Sequence, residues 1–213
     1  MGYKTFASMN IAIIGSGVVS DALAYRLAIA GHEVLLAGKN EQEPVNWDLA
    51  NEFDNMDVTT VGHVANEADI IIIATKGEDA REVAYHIGDV RRKVIIDATN
   101  ILSNKTGEHF HTVKAIIAIT GNKNVVRCFN CMGFENFLNL VDRNDSVDMY
   151  VAGDSKKAKE VARLLARDMG YSECFDFGGN ETIEFLEDMA RCWLNLTMLQ
   201  KKGAKIDFKL LRK

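Results

Sequence analysis

Proline is almost missing from this sequence: Pro44 is the only one in 213 residues. That excludes a proline-rich linker or a polyproline docking segment. Cysteine is scarce as well, with four residues, Cys128, Cys131, Cys174 and Cys192, too few and too scattered for a disulfide framework. No run reaches the ~18–20 apolar residues that span a bilayer. The opening MGYKTFASM also lacks the apolar core of a secretion signal. The expectation is a cytoplasmic protein with no membrane contact. Phe6 stands where N-myristoylation after Met-Gly needs Ser or Thr. Residues 1–8 are read as an extension before Met9. Positive charge is not in excess either. The net charge of −5 gives no broad nucleic-acid footprint, and Arg91-Arg92-Lys93 reads as a solvated turn.

Two short patterns are weighed and set aside. Cys128-x-x-Cys131 begins on a stretch read as a strand, where residues three apart face opposite sides. Redox pairs of this kind sit at helix N-termini instead. His109-x-His111 lies in a polar loop with no further ligands at metal-site spacing, so no metal is expected.

What is present is organised around Asn10 to Asn40. Ile11 to Ile14 is a short apolar run, read as a buried parallel strand. It stops at Gly15-Ser16-Gly17, and Val18 to Ala30 then repeats apolar residues at helical spacing before Gly31. Val34 to Ala37 is a second strand. Strand, glycine turn, helix and strand in about thirty residues form the context in which a glycine pattern means dinucleotide binding. Gly15 permits the tight turn, and Gly17 lets the backbone approach a pyrophosphate. The N–H groups of Val18 and Val19 then face the anion. Ser20 takes the third position of the pattern and is small enough for close packing.

An NAD-selective site carries an acid at the end of the second strand. Here that strand ends Ala37-Gly38-Lys39-Asn40, with a cation and an amide, which suit a 2′-phosphate. Two alternatives stay open: Lys39 as a solvated turn residue, and Glu41 folding back onto a ribose.

Further along, Asp69 to Ala74 and Lys93 to Ala98 read as buried strands, and Glu78 to Ile87 as a helix. Pro44 to Phe53 reads as a short helix, Asp57 to Val61 as a strand and His63 to Ala68 as a helical link. Val113 to Thr120 is read as helical, Val125 to Phe129 as a strand, and Gly133 to Val141 as a short helix. Asp148 to Ala152 is a strand, Asp154 the cap of a helix over Ser155 to Met169, and Tyr171 to Phe177 another strand. A last long helix runs from about Glu181 to Lys201, apolar on more than one side, which favours a homodimer. The alternation predicts an α/β fold, a doubly wound, mainly parallel sheet. Its ligand edge lies at the strand exits. These gather the glycine turn, Ala74-Thr75-Lys76, Thr99-Asn100, Asn130 and Met132 as candidate cofactor-binding residues.

The segments NIAIIGSGVVSDALAYRLAIAGHEVLLAGKN, ADIIIIAT, VIIDATN, VVRCFN and VAGDSKKAKEVARLLARDMGY resemble the coenzyme F420-dependent NADP oxidoreductase family. The cytosolic reductase domain of the STEAP metalloreductases is similar. The resemblance implies a Rossmann-type NADP-binding domain over 9–145. It also implies a small C-terminal α/β subdomain over 146–213, ending in the long helix, and commonly a dimer. It further implies hydride exchange between the nicotinamide and a stacked redox partner. Lys39 falls where the family has the arginine that binds the 2′-phosphate. Val18 replaces an asparagine common in the family, while Lys76 and Ile101 replace two prolines beside the second substrate's site.

The expected function is therefore an NADPH-dependent oxidoreductase acting on a small conjugated acceptor, F420 or a flavin. Lys76 is the one candidate for a catalytic role, as a proton donor or an anchor for an anion. The rivals are a non-catalytic NADP(H)-binding sensor and an imine reductase of the pyrroline-carboxylate type. The latter normally needs a longer helical C-terminal region than the ~60 residues after Ala152 provide.

Overall fold

The computed structural model describes residues 8–100, 111–138 and 147–211. Among them the strands are β1 (Asn10–Ile14), β2 (Glu33–Ala37), β3 (Met56–Val58), β4 (Ile70–Ile73), β5 (Val94–Asp97), β6 (Val125–Cys128), β7 (Asp148–Ala152) and β8 (Glu173–Asp176). They form one sheet in the order β3-β2-β1-β4-β5-β6-β7-β8. The chain winds outward from β1 to β3, then returns to the centre at β4 and proceeds the other way. The crevice between β1 and β4 is the switch point, where α/β sheets bind ligands.

The helices are α1 (Val18–Ile29), α2 (Trp47–Ala50), α3 (Val64–Glu67), α4 (Ala80–His86), α5 (Thr112–Thr120), α6 (Phe134–Leu138), α7 (Lys156–Met169) and α8 (Ile183–Leu194). Both faces of the sheet are covered, so the central strands need not alternate polar and apolar residues. Ile11, Ile13, Ile70 and Ile72 join Leu23 and Leu27 of α1 and Leu165 of α7 in one core. Ala12, Ile14, Ile71 and Ile73 join Val83 of α4, Ile116 of α5 and Leu186 of α8 in the other. All four isoleucines of β4 are buried, each contributing about 1.5–3 kcal/mol relative to an exposed side chain.

The sheet is mainly parallel, as expected: β1 to β6 pair in parallel, β7 runs antiparallel to β6, and β8 pairs in parallel with β7. The structure corrects the sequence reading in several other places. The helix expected over Pro44 to Phe53 is one turn, capped by Asn46, whose side chain accepts from the Leu49 N–H. β3 ends at Val58, short of Val61. The cap of α7 is Ser155, whose Oγ accepts from Ala158 N at 3.1 Å, while Asp154 is engaged with Asn180. The last helix is a 3-10 turn (Asn180–Thr182), then α8, then a π-helical segment (Asn195–Leu199). Ile101 and His109 lie outside the described residues, as does the expected end of the short helix at Val141.

Candidate active site

Gly15 ends β1 with φ of +152°, and a Cβ there would stand 2.6 Å from the Ala74 carbonyl oxygen. Only glycine lets the exits of β1 and β4 lie this close. Ser20 is buried behind the turn and its hydroxyl donates to the Gly17 carbonyl at 2.6 Å. Gly17 differs from Gly15. Its φ is −103°, and nothing lies within 4 Å of where its Cβ would be. The fold does not need glycine there, and the missing side chain leaves room for a ligand to approach. As the cap of α1, Gly17 supplies no side-chain acceptor, so the first N–H groups of the helix are open to an anion.

Beyond β2 the chain turns tightly from Gly38 to Glu43. A Cβ on Gly38 would meet the Glu43 carbonyl at 2.5 Å. The Asn40 Oδ1 accepts from the N–H groups of Gln42 and Glu43, both at 3.1 Å, and its Nδ2 donates to Glu82 at 3.0 Å. Lys39 points into the site. Its Nζ is 3.1 Å from Asp79 Oδ1 and 3.8 Å from Glu82 Oε2, and its N–H donates to Glu43 Oε2 at 2.7 Å. The hydrogen bond it donates to the Asp79 carboxylate pushes the Lys39 ammonium above its ordinary pKa. The Asn40 amide, with Lys39 behind it, holds the Glu82 carboxyl below its ordinary value.

The exits of β4 and β5 are joined by a parallel bridge between Lys76 and Asn100, with the Gly77 N–H donating to the Asn100 carbonyl at 3.2 Å. Asn100 in turn donates from Nδ2 to the Asn130 carbonyl at 2.9 Å, which ties in the exit of β6. Phe129 makes that exit with φ of +63°, a left-handed conformation rare for an aromatic residue, and is buried.

These exits enclose a cavity of about 350 Å³ lined by Ser16, Gly17, Val18, Val19, Lys39, Glu43, Ala74, Thr75, Lys76, Asp79, Ala98, Asn100, Phe129 and Met132. Its volume falls in the usual range for small-molecule sites. The glycine turn, the open helix terminus, the Lys39 cation and the Asn100 amide fit a dinucleotide. Of the residues singled out from sequence, Gly15 and Gly38 shape the turns without lining the cavity. Asn40 borders a separate hollow with Glu41, Gln42 and His86, so Glu41 does not fold back onto the site. Glu43, Asp79 and Phe129 line the cavity without having been singled out from sequence.

Thr99 and Asn130 also turn away from the cavity, into a buried polar network. The Asp97 Oδ1 accepts from the Thr99 N–H at 3.0 Å and the Thr99 hydroxyl at 2.7 Å, and Oδ2 accepts from Thr112. Arg127 donates to the Thr99 carbonyl, to Thr112 Oγ1 at 2.8 Å and to Glu187, and lies 3.5 Å from Asp97 Oδ2. Asn130 donates to Asn100 Oδ1 at 3.2 Å and to the Leu186 carbonyl at 3.3 Å. The network is the floor under the exits of β5 and β6. Burial pushes the Cys128 thiol well above its ordinary pKa and that of Cys131 up to about 12, so neither forms a thiolate readily.

Residues 10–101 match the family described as NADP oxidoreductase, coenzyme F420-dependent. An F420-dependent NADP reductase of Methanothermobacter thermautotrophicus is 26% identical over 211 residues, covering 89% of this chain and 90% of that protein. The enzyme of the same description from Methanothermobacter marburgensis is 25% identical, with 89% and 93% covered. A crystal structure from Arthrobacter sp. FB24, described as a candidate F420-dependent NADP reductase, superposes with a TM-score of 0.83 at 23% identity. It covers 96% of this chain and 100% of that one. An imine reductase from Pseudomonas sp. shares the fold at a TM-score of 0.62 and 13% identity, this chain spanning 67% of its length. Residues 10–101 are thus similar to the coenzyme F420-dependent NADP oxidoreductase family, and the two curated reductases align with this chain over nearly their whole length.

Proposed function

We propose that the protein is an NADPH-dependent oxidoreductase that exchanges a hydride between NADP and a small conjugated acceptor of the deazaflavin or flavin type. The observation that carries this is the single cavity running from Lys39 past the glycine turn to Lys76, Asn100 and Met132. In this reading the α1 N–H groups and Gly17 hold the pyrophosphate, and Lys39 meets the 2′-phosphate. Thr75 and Asn100 bond the nicotinamide end, while Ala98, Phe129 and Met132 supply apolar walls that exclude water. Bound NADPH supplies the hydride; the chain's own work is binding, alignment and desolvation.

Lys76 is exposed on the cavity wall. We assign it the anchoring of an anionic group on the acceptor, or the supply of a proton to it. Residues 9–145 are taken as the nucleotide-binding domain and 146–213 as the subdomain completing its floor. Phe185, Met198 and Leu199, more than half exposed on α8 and its extension, favour a homodimer through this part.

The test is NADPH oxidation followed with deazaflavin, flavin, quinone and ferric acceptors in turn. Turnover with the deazaflavin or a flavin is expected. Tight NADPH binding with no turnover on any of them would leave a nucleotide sensor instead.

A further inference from the structure

Resting on the NADP reading above, we propose that Asp79 competes with the nucleotide 2′-phosphate for Lys39, so that the first turn after β4 sets how sharply the protein tells NADPH from NADH. The expected determinant of this choice is the residue just past β2, here Lys39. In this structure that residue does not act alone. Lys39 Nζ is 3.1 Å from Asp79 Oδ1 and 3.8 Å from Glu82 Oε2, and Glu43 accepts from its backbone N–H. One cation thus faces three carboxylates. Asp79 and Glu43 line the same cavity as Lys39, so the competition takes place inside the site.

The electrostatics differ between the two nucleotides. A 2′-phosphate is a dianion, and to reach Lys39 it must take the ammonium from Asp79 and then lie near the displaced carboxylate. A 2′-hydroxyl carries no charge and can donate to a carboxylate, so the same acids do not oppose NADH. The side chains of Lys39 and Asp79 are about a quarter exposed, which screens their interaction without removing it. Glu82 acts in the same direction but more weakly, being farther from Lys39 and already bonded by Asn40.

The experiment measures dissociation constants for NADPH and NADH on the full chain, by quenching of intrinsic fluorescence, with thermal midpoints as a folding control. Asp79→Asn is expected to tighten NADPH about five-fold or more with NADH nearly unchanged, and Glu82→Gln to shift the ratio the same way by less. In a Lys39→Ala background the Asp79→Asn gain should fall below about two-fold, because the contested cation is gone. An unchanged ratio in both single variants, or equal tightening of both nucleotides, would overturn the competition while leaving NADP binding intact. A full gain persisting without Lys39 would replace it with direct repulsion. A wild-type protein that binds neither nucleotide would overturn this inference and the proposed function together.

Discussion

Asn100 and Asn130 bond each other in both directions: the Asn100 Nδ2 donates to the Asn130 carbonyl at 2.9 Å, and the Asn130 Nδ2 donates back to Asn100 Oδ1 at 3.2 Å. The pair locks the exits of β5 and β6 together beside the cavity, and Asn130 also reaches the Leu186 carbonyl of α8. Asn130→Ala should lower stability by about 1–3 kcal/mol in urea unfolding, since buried partners lose their donors. It should also weaken nucleotide binding through Asn100, although Asn130 does not line the cavity.

Gly15 and Gly17 separate fold from binding. Gly15→Ala drives a methyl toward the Ala74 carbonyl at an unfavourable φ, and should cost about 1–3 kcal/mol or prevent folding. Gly17→Ala should unfold at the wild-type midpoint yet lose affinity for NADPH, because its methyl meets only the ligand. Thermal unfolding and nucleotide titration of the two variants check the contrast.

Arg127 is fully buried between Asp97 and Glu187. Arg127→Met leaves two carboxylates without their cation, and should destabilise the protein by about 3–5 kcal/mol. Replacing Arg127, Asp97 and Glu187 together by apolar residues should recover much of that loss, which denaturant unfolding of the single and triple variants would measure.

His32 is buried, and that burial, only partly offset by Asp168, lowers its pKa from 6.5. The folded state therefore resists a proton that the unfolded chain accepts. Its contribution is fully present above about pH 6.5 and is lost as the pH falls from there through the lowered folded value. Urea midpoints should drop across this window, and His32→Gln should flatten the drop.

Lys76→Ala should lower turnover with the acceptor while leaving the urea midpoint within about 0.5 kcal/mol of wild type, as for an exposed residue. Unchanged steady-state kinetics would return Lys76 to the loop surface.

Much of this architecture is legible in the sequence because β1, β4 and β5 are apolar runs with glycine or polar exits. The direction of β7 was not. A strand's period of two reads the same either way, and the antiparallel pairing is fixed by a connection with no signature of its own. The cap of α7 was misplaced by one residue because Asp154 and Ser155 are both good caps, and Asn180 takes the first. Asp79 and Glu82 were not legible because only the folded chain brings the start of α4 beside Lys39, whereas Glu43 is local to Lys39 and returns to it through the tight turn after Gly38. The buried floor did leave a trace. Asp97 and Arg127 each interrupt an apolar strand, and charges in such places need partners.

The distance along the chain between the strand exits and α8 sets an order of events during synthesis. Everything that shapes the glycine turn, from Gly15 to Asn100, leaves the ribosome early. Arg127 gains Glu187 only after sixty further residues, and Trp193 closes over Gly133 later still. A nascent chain halted between Arg127 and Glu187 would already carry its glycine turn, while Arg127 still lacked Glu187. The segment from β7 through α8 thus supplies the counter-charge beneath the strand exits only after the glycine turn has been made.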